Sequence, residues 1–585
     1  MIGLTLLVLL FSFGSAQAEL IWSTYLGGEN NDGATAIEKS VGGNFVVAGY
    51  THSPNFPVSA GAFNDSISGQ FGFGDVFVAE ISRNGHRLLW STFLGGYNDD
   101  TPADIDIGPN REIIVAGITG SGDFPTTDGT YDRSFNGIAW DAFVTTLSGD
   151  GNQLIHGTFI GGEHRDEVKA VSISENQRII VVGQTGSVDF PVTEGAFDAS
   201  FNEGDYDVFV FSLTEDLSEL EYSTFLGGTG WDYPAQFSID KEGEGVVIVG
   251  YTGSNDFPVS RDAFDPIYND GGGFEDAGDA FVARLSDDGS ELIFGSFFGG
   301  EHYDAAQCMD LDQPGNILVA GSTGGGNFPV TEGAFDTTLD GPADLFVISM
   351  SPNGEALEFC TFLGGREWER AAALIDDDEG GILIAGSTLS DDFPSTDNAF
   401  DQSFNGGVTD AFLSRISTNG RELLYSTFLG GSGNNWASCL LLDGSGGVVL
   451  AGSTDGWDFP VTPDAFDTSY NYQSDVFITR MNDIGLTISD RGSQRFSPET
   501  HMLYSPYPNP FNSTTTIRFG LHLAGEVTLS VWDLSGHRLE ELAGGVYQAG
   551  YHEVVWKAEG TPAGIYLVTL ETEEGKFSQK VTLVK

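Results

Sequence analysis

Apolar residues along this chain fall into short runs separated by glycine, asparagine, aspartate and proline. Between residues 87 and 147 four such runs follow one another: RLLWSTFL (87–94), PADIDI (102–107), EIIVAGIT (112–119) and DAFVTTL (141–147). Each has the length of a strand. The third is apolar almost throughout, as a strand buried on both faces reads. No long amphipathic helical pattern appears, so the expectation is an all-β protein.

The four-part phrase recurs. A Gly-Gly pair ends at Gly28, Gly96, Gly162, Gly228, Gly300, Gly365 and Gly431, in steps of 65 to 72 residues. Each pair is followed by a strand like VAGST, then by Asp-Phe-Pro or Asn-Phe-Pro, then by a strand like DAFV. Four strands repeated seven times without intervening helices predict a seven-bladed β-propeller. The long connection between Asp-Phe-Pro and DAFV carries a phrase like GAFD in each copy. With strand direction alternating, that loop and the turn after Gly-Gly open on one face, the expected place for function. The chain begins with a strand of the outermost type and ends with a copy that lacks one. Residues 20–26 are therefore expected to complete the seventh blade, with IGLTISD (484–490) as the rival edge strand. The two glycines are expected to supply backbone angles that other residues resist.

These phrases, STFLGG, VAGST, DFP with GAFD, and DAFV, closely resemble the seven-bladed β-propeller family of SBBP repeats. The resemblance covers about residues 19–482. It implies a propeller and no defined catalytic activity.

The net charge is −61, and residues 501–585 carry only −3 of it. A field of that sign argues against nucleic acid or an anionic membrane as partner. It is compatible with cation binding, a saline habitat or solubility alone. Residues 1–18 read as a secretory signal peptide, with an apolar stretch ending in Ala16-Gln17-Ala18 and no basic residue before it. No later run has the length of a transmembrane segment. Cys308, Cys360 and Cys439 are too few, and odd in number, for a disulfide framework, and are expected as core residues.

Candidate chemistry is sparse. Four residues past each Gly-Gly stand Asp32, Asp100, Asp166, Asp232, Asp304, Glu369 and Asn435. They would ring the axial mouth as a binding site for a cation or cationic ligand, or each would cap its own turn. Phe124, Phe190, Phe257, Phe393 and Phe459 of the DFP phrase are expected to pin the long loop, with a sugar-stacking surface as the other reading. In YNDGGGFEDAGD (268–279), Asp270, Glu275, Asp276 and Asp279 offer hard oxygen ligands, which makes calcium the candidate metal and the only candidate cofactor. The spacing is not that of an EF-hand loop. His164 and His302 occupy equal positions in non-adjacent copies, which does not make a metal pair. The chain has no HExxH, G-x-S-x-G, phosphate-binding P-loop or CxxC.

After a polar stretch (483–503), residues 504–585 read as six or seven short alternating strands, a small immunoglobulin-like β-sandwich. YPNPFN (507–512), VWDLSG (531–536), AGYHEVVW (549–556) and AGIYLV (563–568) resemble the type A C-terminal sorting domain of the type IX (Por) secretion system, with kinship to FlgD-like immunoglobulin-type modules. The resemblance implies export through the periplasm and outer membrane, with the secretion machinery as partner. The expected organisation is signal peptide 1–18, propeller 19–482, linker 483–503 and sorting sandwich 504–585. The leading expectation is a monomeric, non-enzymatic, secreted or cell-surface binding or adhesion protein. Glycans, extracellular polymers or surface proteins would meet its loop face. The alternatives are a propeller-based polysaccharide lyase or hydrolase, and a structural surface-layer or matrix protein.

Overall fold

A computed structural model describes residues 18–585 except 69–71, 139, 241–244, 270–277, 483, 487–501, 504–508, 510, 522–524, 534, 536, 548–549, 559, 573–574 and 585. The chain divides into two compact units, 1–487 and 488–585. Of the expected signal peptide only Ala18 lies among the described residues.

The first unit is built from four-stranded antiparallel sheets. In the first, β2 (Asp32–Lys39), β3 (Phe45–Thr51), β4 (Asp75–Ile81) and β5 (Leu88–Leu94) pair in sequence order. The order repeats in β6–β9 (100–160), β10–β13 (166–226), β14–β17 (232–298), β18–β21 (304–363) and β22–β25 (369–429). The seventh sheet joins β26 (Asn435–Leu442), β27 (Gly447–Thr454) and β28 (Asp475–Asn482) to β1 (Glu19–Leu26). β1 runs antiparallel to β28, with Ser23 opposite Thr479 and Leu26 opposite Val476. The first strand of the chain thus supplies the last outer edge, as its position before any inner strand predicts; of the rival segment 484–490 only 484–486 lie among the described residues.

The sheets stand like propeller blades because the second strand of each is buried on both faces. In β3, Phe45 and Val47 point into a core shared with the seventh sheet, while Val46 and Ala48 point into one shared with the second. The same alternation builds a core at every other junction, ending with Leu383 and Ala411 against Val448 and Phe477. Inner strands touch in the cycle β2, β6, β10, β14, β18, β22, β26 and back to β2, so the ring is closed. Closure removes the free faces that an open array would leave exposed.

The long loops fasten this ring. Each DFP phenylalanine is buried on the phenylalanine of its own DAFV strand, with centroids 4.3 Å apart for Phe124 and Phe143 and 4.6 Å for Phe190 and Phe209. The GAFD segment then runs along the outer strand. Phe159 N donates to the Asp132 carbonyl (2.9 Å) and Tyr25 N to that of Asp467 (3.1 Å). This covers an edge that would otherwise invite pairing with another chain. The same loop reaches the neighbouring sheet, as Phe63 N donates to Gly151 O and Phe466 N to Gly85 O. An outer-strand aromatic ring packs on each of these hairpin glycines, Trp22 on Gly85 and Trp90 on Gly151.

Gly-Gly recurs for a reason other than the one expected. Gly27, Gly28, Gly95, Gly96, Gly161 and Gly162 do not have left-handed backbone angles. What excludes a side chain is crowding. A Cβ on Gly161 would lie 2.2 Å from Asp141 Oδ1 and 2.6 Å from Asp166 Oδ2. One on Gly162 would lie 2.4 Å from Asp189 Oδ1.

The second unit contains a three-stranded sheet of β29 (Met502–Leu503), β30 (Thr514–Leu521) and β33 (Gly550–Lys557). A four-stranded sheet orders β32 (Arg538–Tyr547), β31 (Gly525–Asp533), β34 (Gly564–Thr572) and β35 (Gly575–Leu583). One core joins them, with Ile517, Phe519 and Trp556 from the first against Val527, Leu529, Val568 and Val581 from the second. Asn509 and Phe511 of the NPF phrase clamp β35: Thr582 N donates to Asn509 Oδ1 (2.8 Å) and Phe511 N to Thr582 O (2.9 Å).

Candidate functional site: the loop face of the propeller

The Gly-Gly turn and the DFP loop do open on one face, and they are tied together there. Tyr97 N, Glu163 N and Thr229 N donate to Asp123, Asp189 and Asp256 at 2.8–2.9 Å. The residues expected to ring the mouth lie at this end. Asp32, Asp100, Asp166, Asp232, Asp304, Glu369 and Asn435 each open an inner strand, and all are buried. Asp166 shows the arrangement: Oδ2 accepts from Gly162 N (2.8 Å) and Ser187 Oγ (3.1 Å), and Oδ1 from Thr185 Oγ1 (2.5 Å). Each carboxylate so placed ties its own turn to the following strand.

A second ring sits beside it. The first residue of each DAFV strand is Asp75, Asp141, Asp207, Asp279, Asp344, Asp410 or Asp475, all buried. Each accepts a backbone N–H from the long loop, as Asp141 does from Asn136 (2.6 Å) and Asp207 from Asn202 (2.8 Å). The two rings meet across the first glycine of the next Gly-Gly pair. Asp475 and Asp32 flank Gly27, Asp141 and Asp166 flank Gly161, and Asp207 and Asp232 flank Gly227. Two carboxyls against one glycine resist ionising together. Burial, the largest cause, pushes Asp100 and Asp166 up to about 7, and their neighbours Asp75 and Asp141 add to the rise. Asp304 is pushed highest, to about 8. Its sheet has Gly325 where Ser187 stands in the third, so it lacks one hydroxyl donor.

Beside the aspartates the repeat breaks. The second residue of the seven inner strands is Gly33, Thr101, Glu167, Tyr233, Ala305, Arg370 and Trp436 in turn. Around β14 the departures are aromatic. Trp231 lies 5.4 Å from Tyr233 and 5.6 Å from Tyr251, and Tyr233 lies 5.3 Å from Tyr251. Tyr206 from the third sheet and Tyr303 from the fifth extend the cluster, with centroids 5.6 and 6.2 Å from Tyr233 and Tyr251. Gly253 and Gly278 leave room for the Trp231 indole, since a Cβ on either would come within 2.6 Å of it. Burial and the neighbouring tyrosines push the Tyr233 hydroxyl up to about 12. Polar groups continue the rim on the third sheet, where Glu167 pairs with Arg165 (3.3 Å) and Lys169 (2.8 Å). The Arg165 guanidinium lies over Trp140, 5.6 Å from the ring centre. Motif reading misses these residues. Aligning the seven copies on Gly-Gly and reading the positions flanking the aspartate would have found them.

Asp270, Glu275 and Asp276 of the calcium loop lie outside the described residues. Asp279 is buried at the start of β16 (Asp279–Leu285) and accepts from Asn269 N (2.7 Å). Among the described residues no group of three His, Cys, Asp or Glu side chains is arranged to hold a metal ion. His164 and His302 lie in the turns that lead into the third and fifth sheets. Phe124 and its equivalents are core residues. The three cysteines are buried and free, and burial pushes the Cys308 thiol up to about 12.

No curated protein sequence matches the chain significantly. Among solved structures it is similar to PorZ, an essential surface component of the type-IX secretion system of Porphyromonas gingivalis, at 12% identity and a TM-score of 0.30, covering 93% of this chain and 69% of that one. It is similar to the quinohemoprotein alcohol dehydrogenase of Comamonas testosteroni at 10% identity and a TM-score of 0.38 (84% and 78% covered). It is also similar to a polysaccharide lyase of family PL25, an ulvan lyase, at 10% identity and a TM-score of 0.37 (74% and 93% covered). TM-scores this low give these likenesses no weight for function. Residues 505–584 match the family described as secretion system C-terminal sorting domain. The chain therefore carries the sorting signal of a protein exported by type IX secretion to the cell surface or the extracellular space.

Proposed function

We propose that this is an exported, non-enzymatic binding or adhesion protein whose loop face holds a glycan, an extracellular polymer or a surface protein. On this reading residues 19–482 are an SBBP-type propeller. Residues 483–503 are a linker, and 504–585 are a type A, FlgD-like sorting sandwich that engages the secretion machinery. One observation carries the binding role. Structural positions repeat in every sheet, whereas the positions beside them on the mouth differ and gather aromatic side chains at Trp231, Tyr233 and Tyr251. Amphipathic rings on a rigid, partly exposed surface are what recognition uses and what a uniform scaffold does not need.

The test is co-sedimentation of the full-length protein with extracellular polymer from the producing cells, beside Trp231→Ala. Binding that the variant weakens supports the reading. Absence of binding to polymer and to whole cells alike overturns it. Deleting 505–584 should leave the protein inside the outer membrane, and unchanged release would contradict the sorting assignment.

A further inference from the structure

We propose that a hollow between the seventh and first sheets binds an uncharged sugar unit of an oligosaccharide. This rests on the binding role proposed above and names the class of ligand. The hollow has a volume of about 580 Å³, and its walls include Trp436, Tyr470, Tyr472, Asn31, Asp455 and Gln473. It is open to solvent, a shallow seat for one sugar unit rather than an enclosed cleft. Trp436 is the aromatic that breaks the mouth pattern in the seventh sheet, and it is partly exposed. Tyr470 is held by packing on Tyr25, 6.2 Å between centroids, and by a hydrogen bond from its hydroxyl to the Gln473 carbonyl.

Tyr472 is the telling residue. It is 88% exposed and has a φ of 97°, a conformation that a bulky side chain rarely adopts. The loop imposes that angle. In two other sheets the residue after the matching asparagine is also left-handed, Glu203 at φ 72° and Gly406 at φ 131°. A glycine would sit there without strain. Here a large ring is held in solvent at that position, which points to a use for the ring.

The chemistry of the walls selects the ligand. Tyrosine and tryptophan rings offer flat apolar faces to the C–H face of a pyranose. The amides of Asn31 and Gln473 and the carboxylate of Asp455 can bond its hydroxyls. Asp455 is fixed for this by Asn434, whose Nδ2 donates to Asp455 Oδ2 (2.8 Å). The carboxylate, and a chain of net charge −61, repel an anionic polymer.

The experiment is titration calorimetry of the full-length protein with dextran, mannan and laminarin, and with alginate as the anionic comparison. At least one uncharged polymer should bind. Tyr472→Gly should weaken it by about tenfold or more, while its melting temperature stays level or rises. Trp436→Ala should weaken the same polymer. If both variants bind as the parent does and Trp231→Ala does not, the site lies elsewhere on the face and only this inference falls. Binding of alginate alone, or of none of the four, also overturns it. The broader role then stands or falls on the polymer of the producing cells.

Discussion

Asn435 Nδ2 donates to Asp410 Oδ1 at 3.0 Å. In the other junctions two carboxyls occupy these places, as Asp141 and Asp166 do across Gly161. The amide is a built-in example of what a protonated partner would do. It supplies the hydrogen that two ionised carboxylates lack.

Stability should therefore fall as pH rises. Burial holds Asp32 near 6; burial, with the facing acid adding to it, holds Asp100, Asp166 and Asp475 near 7 and Asp304 near 8, all above the ordinary 3.8. Between those values the folded chain keeps protons that the unfolded chain has released. Their contribution is fully present below about pH 4 and is lost as pH climbs through 6 to 8. Thermal melts from pH 5 to 8.5 should show a steadily decreasing midpoint. A level or rising midpoint would contradict the paired carboxyls.

Asp304→Asn tests one pair alone. The fifth and seventh sheets both carry glycine, Gly325 and Gly456, where the third has Ser187. The asparagine that works at 435 should thus be tolerated at 304. The variant should melt higher than the parent at pH 8 and nearly the same at pH 5. Equal destabilisation at both pH values would show that the carboxylate itself is needed.

Gly161→Ala tests the reading of the Gly-Gly pair. A methyl between Asp141 and Asp166 forces side chains or strands apart, at a cost of about 1–3 kcal/mol. If backbone angle alone were the reason for glycine, alanine would be tolerated, because this glycine is not left-handed. Chemical denaturation distinguishes the two.

Closure by β1 makes a further prediction. Trp22 is buried, lies 5.8 Å from Phe45 of the first sheet and packs on Gly85. Trp22→Ala should cost about 3–5 kcal/mol, as large core truncations do. A loss below about 1 kcal/mol in a denaturant melt would mean that the ring does not depend on its first strand.

Much of the fold was legible in sequence because each phrase answers to a local cause. The doubly apolar VAGST run marks a strand with a sheet on either side. The outer-type strand at the start and the missing one at the end together specify the closure. The cause of Gly-Gly was not legible, since the oxygens that crowd Gly161 come from Asp141 and Asp166 on two different sheets. The mouth was hidden differently. Trp231, Tyr233 and Trp436 flank motif residues without belonging to a motif, and only the ring places them on one rim. Nothing in the letters announces that Tyr472 sits at a positive φ.

On the reading proposed above, the loop face is the working surface of an exported protein. Hydroxyl-radical footprinting of the full-length chain, with and without extracellular polymer of the producing cells, tests it most directly. Protection should be confined to the mouth, at Trp231, Tyr251, Trp436 and Tyr472, with the hairpins around Arg83, Asp150 and Asn353 unchanged. Protection of those hairpins with none at the mouth would contradict it.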